Sequence, residues 1–503
     1  MTVKIEPTDT LRENHLSWNQ YLAMSSSRLI CLLIGTSLFL TACVNHPNSA
    51  IELPMQVPTQ WKHGESVGST NTNFWWQAFN DSRLSALVLQ AAGNNLTILQ
   101  AEARSEQSRQ QALIAGVETL PNINGVVERS RRNQNNAQFG TTTANAASAL
   151  TNITDNASAV FQISWELDLW GKMATQTEAA RQDFLASKEN VTALQQSIAA
   201  QTTLAYFATI ESREQMALSE RTVTTLEETA RQVGNRSDAG IASPADKQLA
   251  IANLETARAG LMSQRENNQR VITQLELLIR HYPHANIEVA ERLPQLPPQP
   301  DTGIPAELLS RRPDLRAAKN SLEAAGLRAN VADLAYLPTI SLTGSSGTQS
   351  NALTDLLHGQ FGVWSIAGQL VQPLFPFRGL QAASATAESI RLEALYRYAE
   401  VALAAFAEVE NALATATFLQ DRETALGLAS AAAIEAERIA LNRYNQGLTS
   451  FLNVLEAQQR ALDTQSSFIA VRRARLDNRV NLHLALGGGF EPETETSYRG
   501  AQH

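Results

Sequence analysis

Asp238-Ala239-Gly240-Ile241-Ala242-Ser243-Pro244-Ala245-Asp246 is matched, 207 residues later, by Asn445-Gln446-Gly447-Leu448-Thr449-Ser450-Phe451-Leu452-Asn453. Gly240 and Gly447 suit the left-handed position that ends a helix. Before the first turn, Lys172 to Val233 runs 62 residues without Pro or Gly; before the second, Leu380 to Gln446 runs 67 residues with only Gly427. After the turns, Ala245 to Tyr282 contains only Gly260, and Leu448 to Leu486 contains neither residue. The chain is therefore written twice, each time as a very long helix, a tight turn and a shorter helix. At ~1.5 Å per residue the long helices reach about 95–100 Å.

Working outward, a shorter helical stretch precedes each long helix: Ser82 to Ala115, and Ala306 to about Leu337. Each leads into a Leu-Pro pair, Leu120-Pro121 and Leu337-Pro338. Stacked end to end, the two short helices of a half can run beside the long one. Residues 283–305, with Pro294, Pro297, Pro298 and Pro300, read as a connector between a first repeat (43–282) and a second (306–486). Residues 487–503 read as a polar, mobile tail.

Two strands are expected between the short and the long helix of each half, at about 121–131 and 158–169, then 339–347 and 361–372. Phe161, Ile163, Trp165, Leu167 and Leu169 alternate with Val160, Gln162, Ser164, Glu166 and Asp168. Trp364, Ile366 and Leu370 alternate more weakly with Ser365, Ala367 and Gln369. Period two with one polar face fits a membrane barrel enclosing water, although any one strand alone fits a soluble sheet. Four strands cannot close such a barrel, since the smallest use about eight. The chain must oligomerise, and the strand count admits two or three copies. Asn-, Thr- and Ala-rich Arg132 to Ser158 reads as an extracellular loop, with Gly344 to Gly359 as its partner. Gly344-Ser345-Ser346-Gly347 reads as a flexible strand exit. Arg129, Arg131 and Arg132 cluster at a strand end; a solvated rim is favoured over contact with anionic lipopolysaccharide.

Ala402, Ala404, Ala405, Ala407, Ala412, Ala414 and Ala416 crowd one stretch of the second long helix. Small side chains suit a sheath of helices around a hollow tube. A compact coiled coil would want regular Leu and Ile at heptad positions, which are not evident.

The amino terminus reads as an address. Arg28 precedes the apolar run of residues 29–42, too short for a transmembrane helix, which ends in Leu40-Thr41-Ala42-Cys43. That tail resembles a lipobox. Residues 1–42 are expected to be a signal peptide and Cys43 to carry a diacylglycerol and an N-acyl lipid. Val44, in place of Asp, implies outer-membrane sorting, and Met24 is read as the true start, leaving 1–23 as an extension. No later segment is expected to span a membrane as a helix, so a crossing requires a closed barrel. The net charge of -9 argues against a nucleic-acid partner. The only cysteines are Cys31 and Cys43, which leaves no disulfide framework or Cys-based metal site in the rest of the chain.

With these features assembled, the chain resembles the TolC-like outer-membrane factors, specifically the lipidated NodT-type efflux branch. Phe74-Trp75-Trp76-Gln77-Ala78-Phe79-Asn80-Asp81-Ser82-Arg83-Leu84 is similar to that family's opening motif. Arg311-Arg312-Pro313-Asp314-Leu315-Arg316 is similar to its Arg-Pro-Asp motif, and Tyr336-Leu337-Pro338 and Arg443-Tyr444-Asn445-Gln446-Gly447 also match. The resemblance implies an α+β membrane protein with four strands per chain in a trimeric 12-stranded outer-membrane β-barrel. A long periplasmic α-helical barrel, built from the two repeats, lies beneath. It also implies a periplasmic adaptor, an inner-membrane pump expected to be of the RND type, and drugs or other small toxic molecules as cargo. The periplasmic entrance would be formed by Tyr444, Leu452, Asn453, Leu455 and Glu456, with Asp246 as the first-repeat counterpart of Asn453. Asn453 stands where some members have an acid, which leaves Glu456 as the one expected carboxylate ring. Three such carboxylates on a three-fold axis would repel one another and attract cations. Asp246 reads as the cap of the helix after Pro244, ahead of a contact with the neighbouring turn.

No enzyme chemistry emerges and no cofactor is expected. Gly171-Lys172 lacks the upstream glycine of a phosphate-binding loop, and there is no His-Glu-x-x-His motif. His281 and His284 flank Pro283 and read as solvated loop residues rather than metal ligands. The rival readings are a duct for type I protein secretion and, in another class, a lipid-anchored periplasmic coiled-coil scaffold that would not conduct ions.

Overall fold

The computed structural model describes residues 54–64, 74–135, 151–375 and 377–489. Cys43, the residue expected to carry lipid, lies outside them. In the first half, α1 (Ser82–Asn94) and α2 (Leu96–Val117) lead to β1 (Asn122–Asn135) and β2 (Thr151–Leu167), then α3 (Lys172–Asp238) and α4 (Pro244–Leu278). In the second, α5 (Pro305–Arg311) and α6 (Pro313–Leu334) lead to β3 (Thr339–Ser350) and β4 (Gly362–Val371), then α7 (Phe377–Asn445) and α8 (Phe451–Ala485).

Each stretch expected as one short helix is in fact two. Asn95 separates α1 from α2. Its Oδ1 accepts from the Thr97 amide at 2.9 Å and its Nδ2 donates to the Leu278 carbonyl at 3.0 Å, tying the break to the end of α4. Asn is favoured at such a cap because its side chain replaces a missing helical partner. Pro313 separates α5 from α6, since the residue before a proline is pushed out of helical conformation.

The strands also outrun their expected ends. β1 reaches Asn135 and β2 begins at Thr151, so both ends of the expected loop Arg132 to Ser158 are strand. Likewise β3 runs to Ser350, and the turn beyond it holds two 3-10 segments, Leu353–Leu357 and Gly359–Phe361. Gly344 to Gly347 is strand interior, not an exit. A Cβ on Gly347 would lie 2.2 Å from the Ala159 carbonyl oxygen, so glycine serves close strand approach there.

The four strands form one antiparallel sheet in sequence order. Ile163 pairs with Ile123 and Gly344, Trp165 with Leu342, and Gly344 with Ile366. Paired residues share a face. Ile123, Phe161, Ile163, Trp165, Leu342, Trp364, Ile366 and Leu370 are therefore on one face, and they are solvent-exposed in the single chain. Asn124, Gln162, Ser164, Thr343, Ser345 and Gln369 are on the other. β1 and β4 are edge strands, each with one unpaired side.

The sheet is pinned to the helices at its base. The Trp165 indole donates to the Thr119 carbonyl at 3.0 Å, and Trp170 to that of Pro338 at 2.7 Å. Asp168 accepts from the amides of Met173 and Ala174, which starts α3. Beneath the sheet, α2, α3, α6 and α7 pack in sequence side by side; further down, α4 replaces α2 and α8 replaces α6. Ala402 and Ala405 are fully buried on α7, where their size permits close helix approach. One window of α7 is apolar enough to match a membrane span by length and composition, contrary to expectation. α7 is rich in alanine and packs along α8.

The largest core sits at mid-height. Trp75, Trp76 and Phe79 from the turn before α1 pack with Tyr206, Phe207 and Ile210 of α3 and Leu476 and Val480 of α8. Phe74 and Asn80, both at positive φ, bracket that turn.

Candidate functional site

The turns that follow α3 and α7 close in the same way. Gly240 (φ 74) and Gly447 (φ 75) take the left-handed conformation. The Ile241 amide reaches back to the Arg236 carbonyl, and the Leu448 amide to that of Arg443, each at a helix end. They restart differently. The Ser243 hydroxyl accepts from the Ala245 amide at 3.1 Å and caps α4, whereas Ser450 makes no side-chain cap bond. Asp246 is thus not the cap; Ser243 is. Pro244 carries no amide to cap, so the hydroxyl before it serves the next free N–H.

The two turns share one small core. Val233 of α3, Ala250 of α4, Tyr444 of α7, and Phe451 and Val454 of α8 form a buried cluster, with Leu455 packed against it. Tyr444 is 5% exposed and its ring lies 5.4 Å from that of Phe451. Burial, with the charge of Asp246 as a smaller contribution, raises the pKa of its hydroxyl. Tyr444 and Leu455 therefore pack the turns together. Leu452 (58% exposed), Asn453 and Glu456 are on the open side of the α8 start. Asn453 Nδ2 donates to Thr449 Oγ1 at 2.7 Å. Five of the six residues singled out from sequence thus divide into a packed pair and an exposed three, while Asp246 is half-buried with its charge felt at Tyr444.

Arg236 lies outside those six. Its Nη1 donates to the Asn445 carbonyl at 3.0 Å, and its guanidinium lies 5.2 Å from the centre of the Tyr444 ring. It sits 207 residues before Arg443, its repeat mate. A basic residue in the last turn of a helix is the available signal. Further bonds join the halves above the turns, including Gln458 Nε2 to Thr229 Oγ1 at 3.2 Å and Arg473 to Glu211 at 3.1 Å. Among the described residues, no group of three His, Cys, Asp or Glu is placed to hold a metal.

A two-faced sheet with open edges, set on helices of about 100 Å that end in paired turns, defines an outer-membrane channel subunit with a periplasmic helical portion. A family model described as outer membrane efflux protein matches residues 87–279 and 304–488, and the chain belongs to that family. It is 30% identical over 429 residues to outer membrane protein OprJ of Pseudomonas aeruginosa, covering 83% of this chain and 86% of OprJ. It is 28% identical to the antibiotic efflux pump outer membrane protein ArpC of Pseudomonas putida, covering 92% and 96%. The open-state MtrE outer membrane channel of Neisseria gonorrhoeae superposes with a TM-score of 0.74 at 27% identity, over 87% of this chain and 98% of MtrE. The protein is an outer-membrane efflux channel, and its family works with a periplasmic adaptor and an inner-membrane pump.

Proposed function

We propose that three copies close a twelve-stranded barrel and pass drugs or other small toxic compounds outward from an RND-type pump. The observation that carries this reading is the sheet: one face apolar, the other polar, and both edges open. Edge strands left unpaired in lipid would each cost several kcal/mol per orphaned backbone group, so closure between copies is demanded. The antibiotic efflux role of ArpC supports the cargo class. Cys43 carries the diacylglycerol and N-acyl lipid, which intact-mass analysis of membrane-extracted protein reads directly.

At the periplasmic end, Leu452, Asn453 and Glu456 narrow the resting entrance. Tyr444 and Leu455 hold the turns that present them, and Asp246 sets its charge beside Tyr444. Planar-bilayer conductance of the mature protein beside Glu456→Ala tests both claims. Stepwise, cation-preferring conductance that rises in the variant is expected. An unchanged conductance and cation preference in the variant would remove Glu456 from the entrance. No conductance from either protein, folded and trimeric, would overturn the channel.

A further inference from the structure

Arg129 and Arg131 pair with Ala157 and Asp155 of β2, two and four residues beyond the Val127–Ala159 pair. By alternation they share a face with Ile123, Val127 and Phe161, the apolar face, and not with Gln162 and Ser164. Arg132 is on the opposite, polar face. The lowest apolar row is Leu167 with Ile340 and Leu370. Ten residues separate Leu167 from the row of Arg129, or about 34 Å along the strand; at a tilt of about 40° that is a height of about 26 Å. An outward-facing apolar band is about 25 Å tall. Arg129 therefore sits at the upper rim of the band, and Arg131 just above it.

One guanidinium is unpaired among the described residues and the other is only loosely paired. Arg129 is exposed and makes no hydrogen bond or ion pair with a described residue. Arg131 is 68% exposed and only 3.7 Å from Asp155. On the same face, the turn Leu353–Leu357 is fastened over the strand ends. Thr348 Oγ1 donates to the Leu356 carbonyl, and Ser350 Oγ to Asp355, which occupies that carboxylate. Ser350 and Arg129 both pair with Ala157, so the turn lies about two strand spacings, ~10 Å, from Arg129. Leu357 on this turn is 93% exposed. An exposed leucine beside two solvent-exposed guanidiniums, one of them in a loose ion pair with Asp155, is complementary at headgroup depth to a lipid with acyl chains and phosphates.

We propose that Arg129 and Arg131, flanked by Leu357, bind the phosphate groups of the outer-leaflet glycolipid. Guanidinium is suited to this because its fork of donors matches phosphate oxygens. The site repeats once per copy around the barrel. It rests on the reading that the apolar face of the sheet fronts lipid.

The test counts lipid A bound to the full-length trimer in mild detergent, by native mass spectrometry. The probes are bisphosphorylated lipid A and the same lipid stripped of both phosphates. The intact protein is expected to prefer the bisphosphorylated form at least about fivefold. Arg129→Gln/Arg131→Gln is expected to lose that preference. Arg132→Gln, an equal charge change on the polar face, keeps it. No phosphate preference in the intact protein overturns the proposal without any variant. So does an undiminished preference in the double variant, or an equal loss in Arg132→Gln. Conductance recorded on the same preparations separates this from the channel reading, because that reading fails only if the intact trimer does not conduct.

Discussion

Arg236 holds both Tyr444 and Asn445 at the end of the second long helix. Its guanidinium lies 5.2 Å from the Tyr444 ring centre, and its Nη1 donates to the next residue's carbonyl, Asn445, at 3.0 Å. One long helix thereby holds the end of the other, and with it the start of α8 that carries Leu452, Asn453 and Glu456. An exposed cation–π contact contributes about 0.5–1 kcal/mol. A hydrogen bond to carbonyl from a charged donor adds about 1 kcal/mol when partly solvated.

Arg236→Met keeps the aliphatic stem and removes both contacts. Losing about 1–2 kcal/mol from the clamp is expected to raise the open-to-closed ratio of single channels about fivefold to thirtyfold. Arg443→Met, at the matching position of the other repeat, is expected to leave it near the starting value. Single-channel recording decides the matter, and an unaltered open fraction in Arg236→Met would remove the clamp.

Tyr206 serves as a tie at mid-height. Its hydroxyl donates to Asp81 Oδ2 at 2.6 Å and accepts from the Ala290 amide at 3.1 Å. Burial, then the Asp81 bond, pushes the hydroxyl pKa well up, which keeps the proton in place to donate. Asp81 meanwhile uses Oδ1 to cap α1 through the amides of Arg83 and Leu84. Tyr206→Phe is expected to cost about 1.5–3 kcal/mol, the range for a hydrogen bond to a charged group. Asp81→Ala should cost about 1 kcal/mol more, since the cap goes too. Apparent melting temperatures in detergent rank the two variants, and a Tyr206→Phe protein as stable as its parent would dismiss the tie.

Gly347 gives a sharper contrast. An added Cβ would meet the Ala159 carbonyl oxygen at 2.2 Å and the Val160 Cα at 2.6 Å, both backbone atoms that cannot swing aside. Gly347→Ala is expected to collapse the yield of folded trimer in the outer membrane. Gly359→Ala, with nothing within 4 Å of its added Cβ, should match the parent yield. Gel mobility of unheated samples reads both.

The parts legible in sequence are those with a strong period. The turns at Gly240 and Gly447 announce themselves because a left-handed position nearly demands glycine after so long a helix. Phe161 to Leu167 announce a strand because water is on one side and lipid on the other. Contrast fades above that band. Ser346 and Thr348 share the apolar face with Phe161, while Ser345 and Gly347 lie on the polar face. Small residues of similar polarity thus occupy both sides and hide the strand continuation. The break at Asn95 is not legible, because one asparagine inside a helical pattern looks ordinary until its partner, the Leu278 carbonyl, is known. Position beside the turn points Tyr444 toward the entrance. Its burial depends on Val233 and Ala250 from the other repeat, a contact no local pattern carries.

Asp477 makes stability depend on pH. Burial first, and then the charge of Glu211, lift its carboxyl to about 6 from a usual value of 3.8, while Arg473 opposes the shift. Arg473 lies 3.1 Å from both Glu211 and Asp477, so one cation serves two acids. The folded protein thus binds the Asp477 proton more tightly than the unfolded chain does. Its contribution to stability is present below about pH 4 and is lost as pH rises from there through about 6. An offset of this size corresponds to at most ~3 kcal/mol, and solvent access near the site reduces that to about 1–2 kcal/mol. Asp477→Asn removes the charge and leaves Arg473 paired with Glu211. The variant is expected to melt higher than the parent at pH 7.5 and to converge with it below about pH 4. A variant less stable at pH 7.5 would mean that the Arg473 contact outweighs the cost of burying the second acid.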